Sequence, residues 1–393
     1  MKPTFIKIIV CHFSLIIISS ALLFPLWAGP VIVNHACTNI SSIPLAYIAQ
    51  AKSNLHIAYG HTSHGSQIID GMSGLLSFMN GLGYSQNLFA FNKGGAGGCL
   101  DFRDTPFSGA SDLGNPNRAA WEAATRTYLN SNPEVNVIAW SWCGQVDGSE
   151  SDISRYLNLL SGLERDYPSV KFVYMTGHLD GTGLSGNVNI RNQQIRVYCT
   201  VNNKILFDFA DIESYDAEGR TNYMSFLAND NCDYDSDGNG SRDANWAIHW
   251  QDSHTVNLDW YSCSSAHSQP LNANRKAYAA WWLWARLAGW DGNSGSAVLT
   301  VAPSDRTGLI LHPNYPNPFN PSTIISFVIP SNSYTKLKVF NVAGKEVATI
   351  VSEDLPAGTH SRRWNAEGLP SGVYFYRIQA GPFRETKKLV ILR

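Results

Sequence analysis

The stretch Asn54-Leu55-His56-Ile57-Ala58-Tyr59-Gly60-His61-Thr62-Ser63-His64-Gly65-Ser66-Gln67-Ile68-Ile69 decides how this chain folds. Leu55, Ile57, Ala58 and Tyr59 make a short apolar run of strand type, and Ile68, Ile69, Met72, Leu75 and Leu76 recur at helical spacing. Gly60 and Gly65 permit a sharp change of direction between the two. Ser63 is thus expected past the carboxyl end of a strand and just ahead of a helix. Open α/β sheets bind ligands at that edge, and free helix N–H groups there favour developing negative charge. A serine between His61 and His64 in such a turn reads as a nucleophile; the plainer alternative is a polar residue capping the helix.

Strand and helix alternate outward from there, between Ala46 and Trp290. Leu88 to Phe91 reads as a second strand, followed by the glycine run Asn92-Lys93-Gly94-Gly95-Ala96-Gly97-Gly98-Cys99. Val135 to Trp142 is a third, ending in Cys143-Gly144-Gln145. A helix over 151–166 follows, with Ile153, Tyr156, Leu157, Leu160 and Leu163 on one face. Val170 to Thr176 is the fourth strand, running into Gly177-His178-Leu179-Asp180-Gly181, and Ile205 to Phe209 is the fifth, with Asp208, Asp211 and Glu213 at its end. Five strands whose polar residues gather at one end predict a doubly wound parallel sheet.

This arrangement resembles the SGNH (GDSL-like) hydrolases, whose nucleophilic serine follows the first strand of a flavodoxin-like sheet. Gly60-His61-Thr62-Ser63 stands where the best-known members have Gly-Asp-Ser, and is more similar to divergent relatives with a His-Ser-Thr-Gly turn. By order along the chain, the resemblance implies an oxyanion N–H from Gly97 or Gly98. It implies an amide donor from Gln145 in place of the family's asparagine, and a base from His267 on the loop before the last helix. The family's Asp three residues ahead of that histidine is here Ser264, and no Asp-x-x-His occurs in the chain. Asp252 or Asp259 could orient the imidazole from elsewhere, and His254 is a rival base. The function implied is hydrolysis of acyl esters, carbohydrate O-acyl groups among them. Two alternatives stand beside it: a catalytically inactive carbohydrate-binding surface protein, and a metal-dependent hydrolase using His61, His64, His178 and Asp180.

Length and composition leave room for this. The chain has 393 residues, 44% of them hydrophobic, with 12 Trp and 17 Tyr, enough for two or three domains. A formal net charge of −2 gives no reason to expect a nucleic-acid or anionic-membrane partner. Residues 1–28 read as a signal peptide: Lys2 and Lys7, an apolar run from Ile8 to Leu23, and Trp27-Ala28 near the cleavage point. No later stretch suits a permanent membrane span. Export leaves six cysteines, Cys37, Cys99, Cys143, Cys199, Cys232 and Cys263, an even set that favours disulfides of open pairing; buried free thiols are the alternative.

Cys232-Asp233-Tyr234-Asp235-Ser236-Asp237-Gly238-Asn239-Gly240 spaces carboxylates as calcium loops do. Asp233, Asp235, Asp237 and Asn239 are therefore expected as ligands of a structural calcium ion, although Ala244 stands where an EF-hand has its bidentate Glu. No organic cofactor is expected.

The domain over 29–291 gives way to a linker over 292–312, and a different pattern fills 313–393. Short alternating strands are expected at Thr323–Ile329, Thr335–Asn341, Glu346–Val351, His360–Asn365, Gly372–Ala380 and Thr386–Leu392, separated by turn residues in the manner of an Ig-like β-sandwich. Tyr315-Pro316-Asn317-Pro318-Phe319-Asn320-Pro321, Ser371-Gly372-Val373-Tyr374-Phe375-Tyr376 and Lys387-Lys388-Leu389-Val390-Ile391-Leu392-Arg393 resemble the type A C-terminal sorting domain of bacterial type IX secretion. That resemblance implies the type IX machinery as a partner and a destination outside the cell or on its outer surface.

Overall fold

The computed structural model describes residues 29–84, 87–292, 309–311, 314 and 317–392. The expected signal peptide, nearly all of the linker, and Tyr315-Pro316 lie outside them.

Residues 29–292 build one parallel sheet. In chain order the elements are β1 (Val31–Val33), α1 (Leu45–Asn54), β2 (His56–Gly60), α2 (Ser66–Gly81), β3 (Phe91–Asn92), β4 (Leu100–Asp104), α3 (Ala120–Ser131), β5 (Val137–Trp140) and α4 (Glu150–Asp166). There follow β6 (Lys171–Met175), α5 (Asn187–Val201), β7 (Ile205–Phe207), α6 (Phe209–Ser214), the small pair β8 (Asp233–Tyr234) and β9 (Ala244–Asn245), α7 (Trp246–Ser253) and α8 (Pro270–Leu287). The seven strands of the main sheet lie in the order β1-β7-β6-β5-β2-β4-β3, all parallel. Without the two outer strands β1 and β3, the remaining five run β4-β2-β5-β6-β7. Numbered by their own appearance, that is the doubly wound order 2-1-3-4-5.

Alternation along the strands divides two cores. Ile57 and Tyr59, Val137 and Ala139, and Val173 and Met175 face one side with α1, α2 and α8. Ala58, Ile138 and Trp140, and Phe172 and Tyr174 face the other with α3, α4 and α5. Local signals explain the helices. Ser149 and Asp152 form a reciprocal capping box ahead of α4, whose buried stripe is Ile153, Tyr156, Leu157, Leu160 and Leu163. Pro270 occupies the first turn of α8, where its missing N–H costs nothing.

Three expectations are corrected here. The second strand is not Leu88–Phe91 but β4, and only Phe91–Asn92 of the expected run is strand. The glycine run therefore precedes the strand beside β2 instead of following it. The cysteines are unbridged: all six are free thiols, Cys37, Cys199 and Cys232 being buried. Burial pushes the Cys37 thiol up to about 11 and Cys232 up to about 12, so these behave as small apolar core residues.

The C-terminal region is an antiparallel sandwich-like unit with its own core. Strands β10 (Ile310–Leu311), β11 (Ser322–Ile329) and β14 (Gly358–Asn365) make one sheet. Strands β12 (Ser333–Asn341), β13 (Glu346–Leu355), β15 (Gly372–Ala380) and β16 (Phe383–Ile391) make the other, in the order β13-β12-β15-β16. Ile325, Phe327, Leu337, Val339, Tyr376 and Ile378 close the space between them.

Candidate active site

The site forms at the carboxyl edge of the sheet, where β2 lies between β4 and β5 and the chain's order reverses. Gly60 ends β2 against the Trp140 ring; a Cβ there would come within 2.2 Å of it. A 3-10 turn over Ser63–Gly65 then leads directly into α2. Gly65 is equally constrained, since its Cβ would lie 2.1 Å from Ser141 Oγ and 2.4 Å from His61 Cβ. This crowding pins the turn and aims Ser63 outward.

Ser63 Oγ is hydrogen-bonded to His267 Nε2, across 204 positions of sequence. Both residues hold left-handed backbone, φ 41° for Ser63 and 59° for His267. Non-glycine residues pay for that conformation, and such strain persists only where surrounding structure imposes it.

Beneath His267 lies a column of imidazoles. The His64 ring stacks on His267 with centroids 4.5 Å apart, and on its other side it stacks on His178 at 3.6 Å and 4°. His64 is buried and its Nε2 meets Asp230 Oδ2 at 2.8 Å. His178 Nδ1 donates to Leu179 O at 2.7 Å. Burial, reinforced by neighbouring His178, holds His64 below the ordinary histidine range despite the Asp230 bond. His64 is thus neutral near pH 7 and donates Nε2–H to Asp230. Burial alone would raise the Asp230 carboxyl, but the His64 hydrogen bond and the fields of His178 and His64 hold it below its usual value. A carboxylate oxygen of Asp230, a His64 nitrogen and a His267 nitrogen lie within 4.8 Å of one another, the one such group of three among the described residues.

The four residues of the alternative, metal-dependent reading, His61, His64, His178 and Asp180, are not brought together. His61 Nε2 is bonded to Asp104 Oδ1 at 2.7 Å, and Asp180 Oδ1 accepts from Thr182 N and Oγ1. His64 and His178, stacked face to face, hold their in-plane lone pairs in parallel planes, so they cannot meet on one ion at about 2.1 Å.

Gln145 stands at the same edge, past the end of β5. Its Oε1 accepts the Cys143 N–H at 3.0 Å, and its side chain packs on the α-carbon of Gly114. Asp112, buried and unforeseen, ties this loop to the serine turn: Oδ1 accepts from Gly114 N and Asn115 N at 2.8 Å, and Oδ2 from Thr62 Oγ1 at 2.7 Å. Gly97 and Gly98 are elsewhere. Gly94 N donates to Asp101, which pairs with His56, the first residue of β2, so the glycine run lies at the amino edge, opposite Ser63. Ser264 is not bonded to His267, and His254 stacks on Trp250 at 3.7 Å with its Nδ1 on Trp250 O. Asp259 accepts from Thr255 N.

The acidic loop closes on itself. Asp235 Oδ1 accepts from Gly238 N and Asn239 N, and Oδ2 from Gly240 N; these N–H bonds, that of Gly240 foremost, hold its carboxyl below the usual range. Asp233 is held by the amides of Asn231 and Asn245, and Asp237 by Asn239. The oxygens of Asp233, Asp235 and Asp237 face N–H donors instead of one point, so this donor set fits calcium only if those bonds are given up.

Residues 314–392 match the family described as the secretion system C-terminal sorting domain. No curated protein matches the chain. Among solved structures it is similar to PorZ, an essential bacterial surface component of the type-IX secretion system of Porphyromonas gingivalis, at 18% identity and TM-score 0.17. That likeness covers 22% of this chain and 12% of PorZ. The Ig1 domain of mouse SynCAM 2 aligns at 17% identity and TM-score 0.13, over 18% of this chain and 80% of that domain. An endo-beta-1,4-mannanase from Thermotoga petrophila aligns at 11% identity and TM-score 0.18, over 70% of this chain and 50% of its own. At such scores these likenesses carry no argument about the fold. No helix among the described residues is long and apolar enough to cross a membrane. The chain carries a type IX sorting domain at its C-terminal end and is exported to the cell surface or beyond it.

Proposed function

We propose that residues 29–291 form a secreted serine ester hydrolase of SGNH-like, flavodoxin-like fold, followed by an Ig-like sorting sandwich, with acylated carbohydrate as the substrate class. The observation that carries this reading is the Ser63–His267 hydrogen bond at the switch point of a 2-1-3-4-5 sheet. Ser63 Oγ attacks the ester carbonyl and its proton passes to His267 Nε2. The oxyanion is held by Ser63 N–H, at the start of the turn into α2, and by the Gln145 amide N–H₂. Collapse expels the alcohol, which takes the proton from His267, and water on the same path releases the acid.

The family's Asp-x-x-His partner is replaced here by charge delivered through space. Asp230 faces the cation that forms on His267, and the neutral His64 ring lies under it as a polarisable platform. The test is the whole chain against a panel of acyl esters. Ser63→Ala and His267→Gln are each expected to lose at least a thousandfold in kcat; turnover equal to the parent in Ser63→Ala would end the reading.

A further inference from the structure

A buried ion pair behind the site joins the segments that carry its histidines. Lys276 of α8, Glu213 of α6 and Gln67 of α2 are each 0% exposed. Lys276 Nζ donates to Glu213 Oε2 at 2.6 Å and to Gln67 Oε1, and lies 3.7 Å over the Phe209 ring. Each acceptor then reaches outward to backbone beside an imidazole. Gln67 Nε2 donates to Ala266 O at 2.5 Å, next to His267, and Glu213 Oε1 accepts Leu179 N at 3.3 Å, next to His178. Gln67 itself is four residues past Ser63. Stability alone does not account for such a unit, because well-packed apolar residues in place of a buried pair are often neutral or stabilising.

Resting on the esterase reading above, we propose that Lys276, Glu213 and Gln67 are positioning residues that set His267 against Ser63 and His178 against His64. A fully satisfied buried network has one geometry, and the left-handed backbone of His267 is what the Gln67–Ala266 bond holds in place.

The test uses the whole chain carrying Gln67→Met, and separately the paired change Glu213→Leu with Lys276→Met, which removes both charges together. Expected in both is a folded protein whose kcat on acyl esters drops about ten- to a hundredfold with KM within about threefold of the parent. Lowered melting temperature with unchanged kcat, or failure of both variants to fold, makes the network purely structural and overturns the proposal. If the parent shows no Ser63-dependent turnover, it is the esterase reading that fails. The network is then judged from imidazole nitrogen NMR signals: those of His267 and His178 should move in Gln67→Met, and unmoved signals overturn it.

Discussion

Asp230→Asn tests how this site manages without an acid three residues ahead of its histidine. The substitution keeps an oxygen for the His64 Nε2–H and removes only the charge, so the imidazole column should stay in place. With Asp230 and His267 atoms within 4.8 Å, unit charges attract by about 3.5 kcal/mol at an effective dielectric near 20. His267 is exposed and the Asp230 side chain is 25% exposed, so solvent screens much of this. A usable figure is roughly 1 to 2 kcal/mol of preference for the imidazolium that forms in the transition state. Because on the proposed mechanism that charge develops only as His267 takes the Ser63 proton, the loss should appear in kcat with little change in KM, about 5- to 30-fold.

The assay is steady-state hydrolysis of the best ester from the panel, alongside a melting curve. Asp230→Ala serves as the contrast, because it also strands the buried His64 donor and should cost about 1 to 3 kcal/mol of stability. A kcat for Asp230→Asn within twofold of the parent, with Asp230→Ala merely unstable, would refute the argument and leave Asp230 a prop for His64.

Acidification should destabilise the fold through the same pair. Below about pH 6.5 the unfolded chain takes up a proton that native His64 refuses, so unfolding free energy falls by up to about 1.4 kcal/mol per pH unit, and depressed Asp230 adds to the loss at lower pH. Urea midpoints at pH 7 and 5.5 should differ less in His64→Gln than in the parent; equal pH dependence in both proteins contradicts this. Gly60→Ala drives a methyl into the Trp140 ring and should cost about 1 to 3 kcal/mol, read as a melting temperature several degrees lower; an unchanged curve would contradict the packing argument. Removing residues 313–393 should leave the α/β domain folded but held in the periplasm, since the sandwich has a core of its own; normal amounts in the medium would deny its sorting role. For the acidic loop, calcium should leave the melting temperature within about a degree of its value in chelator, while Asp235→Ala lowers it in both; a clear calcium-dependent rise would show that the ion displaces the loop's N–H bonds.

What could be read from the amino acids divides along physical lines. The Ser63 turn, strands β2, β5, β6 and β7 and the six longer strands of the sandwich all announce themselves by periodicity and by glycine or proline punctuation, which are local. Strand β4 departs from the apolar runs of its neighbours, because Leu100-Asp101-Phe102-Arg103-Asp104 carries charged residues in a strand buried on both faces, where those charges are satisfied inside the fold: Asp101 by Arg103 and His56. With β4 unrecognised, the glycine run is displaced by one strand and comes to stand at the wrong edge. The cysteines mislead in a similar way, an even count in an exported chain weighing more in sequence than the apolar surroundings that bury three of them.

Asp230 is hidden for a deeper reason. It lies in Asn229-Asp230-Asn231, a polar stretch with no periodicity, 166 positions from the histidine it meets. An Asp-x-x-His motif is legible because one loop delivers both groups, whereas electrostatic support of an imidazolium needs only a carboxylate at short distance, whichever element brings it. In this chain the turn after β2 supplies His64 as well as Ser63, so on the proposed mechanism the histidine beside the nucleophile carries the link between Asp230 and His267. The motif is absent, and the arrangement it serves has been divided between two loops that only the fold brings together.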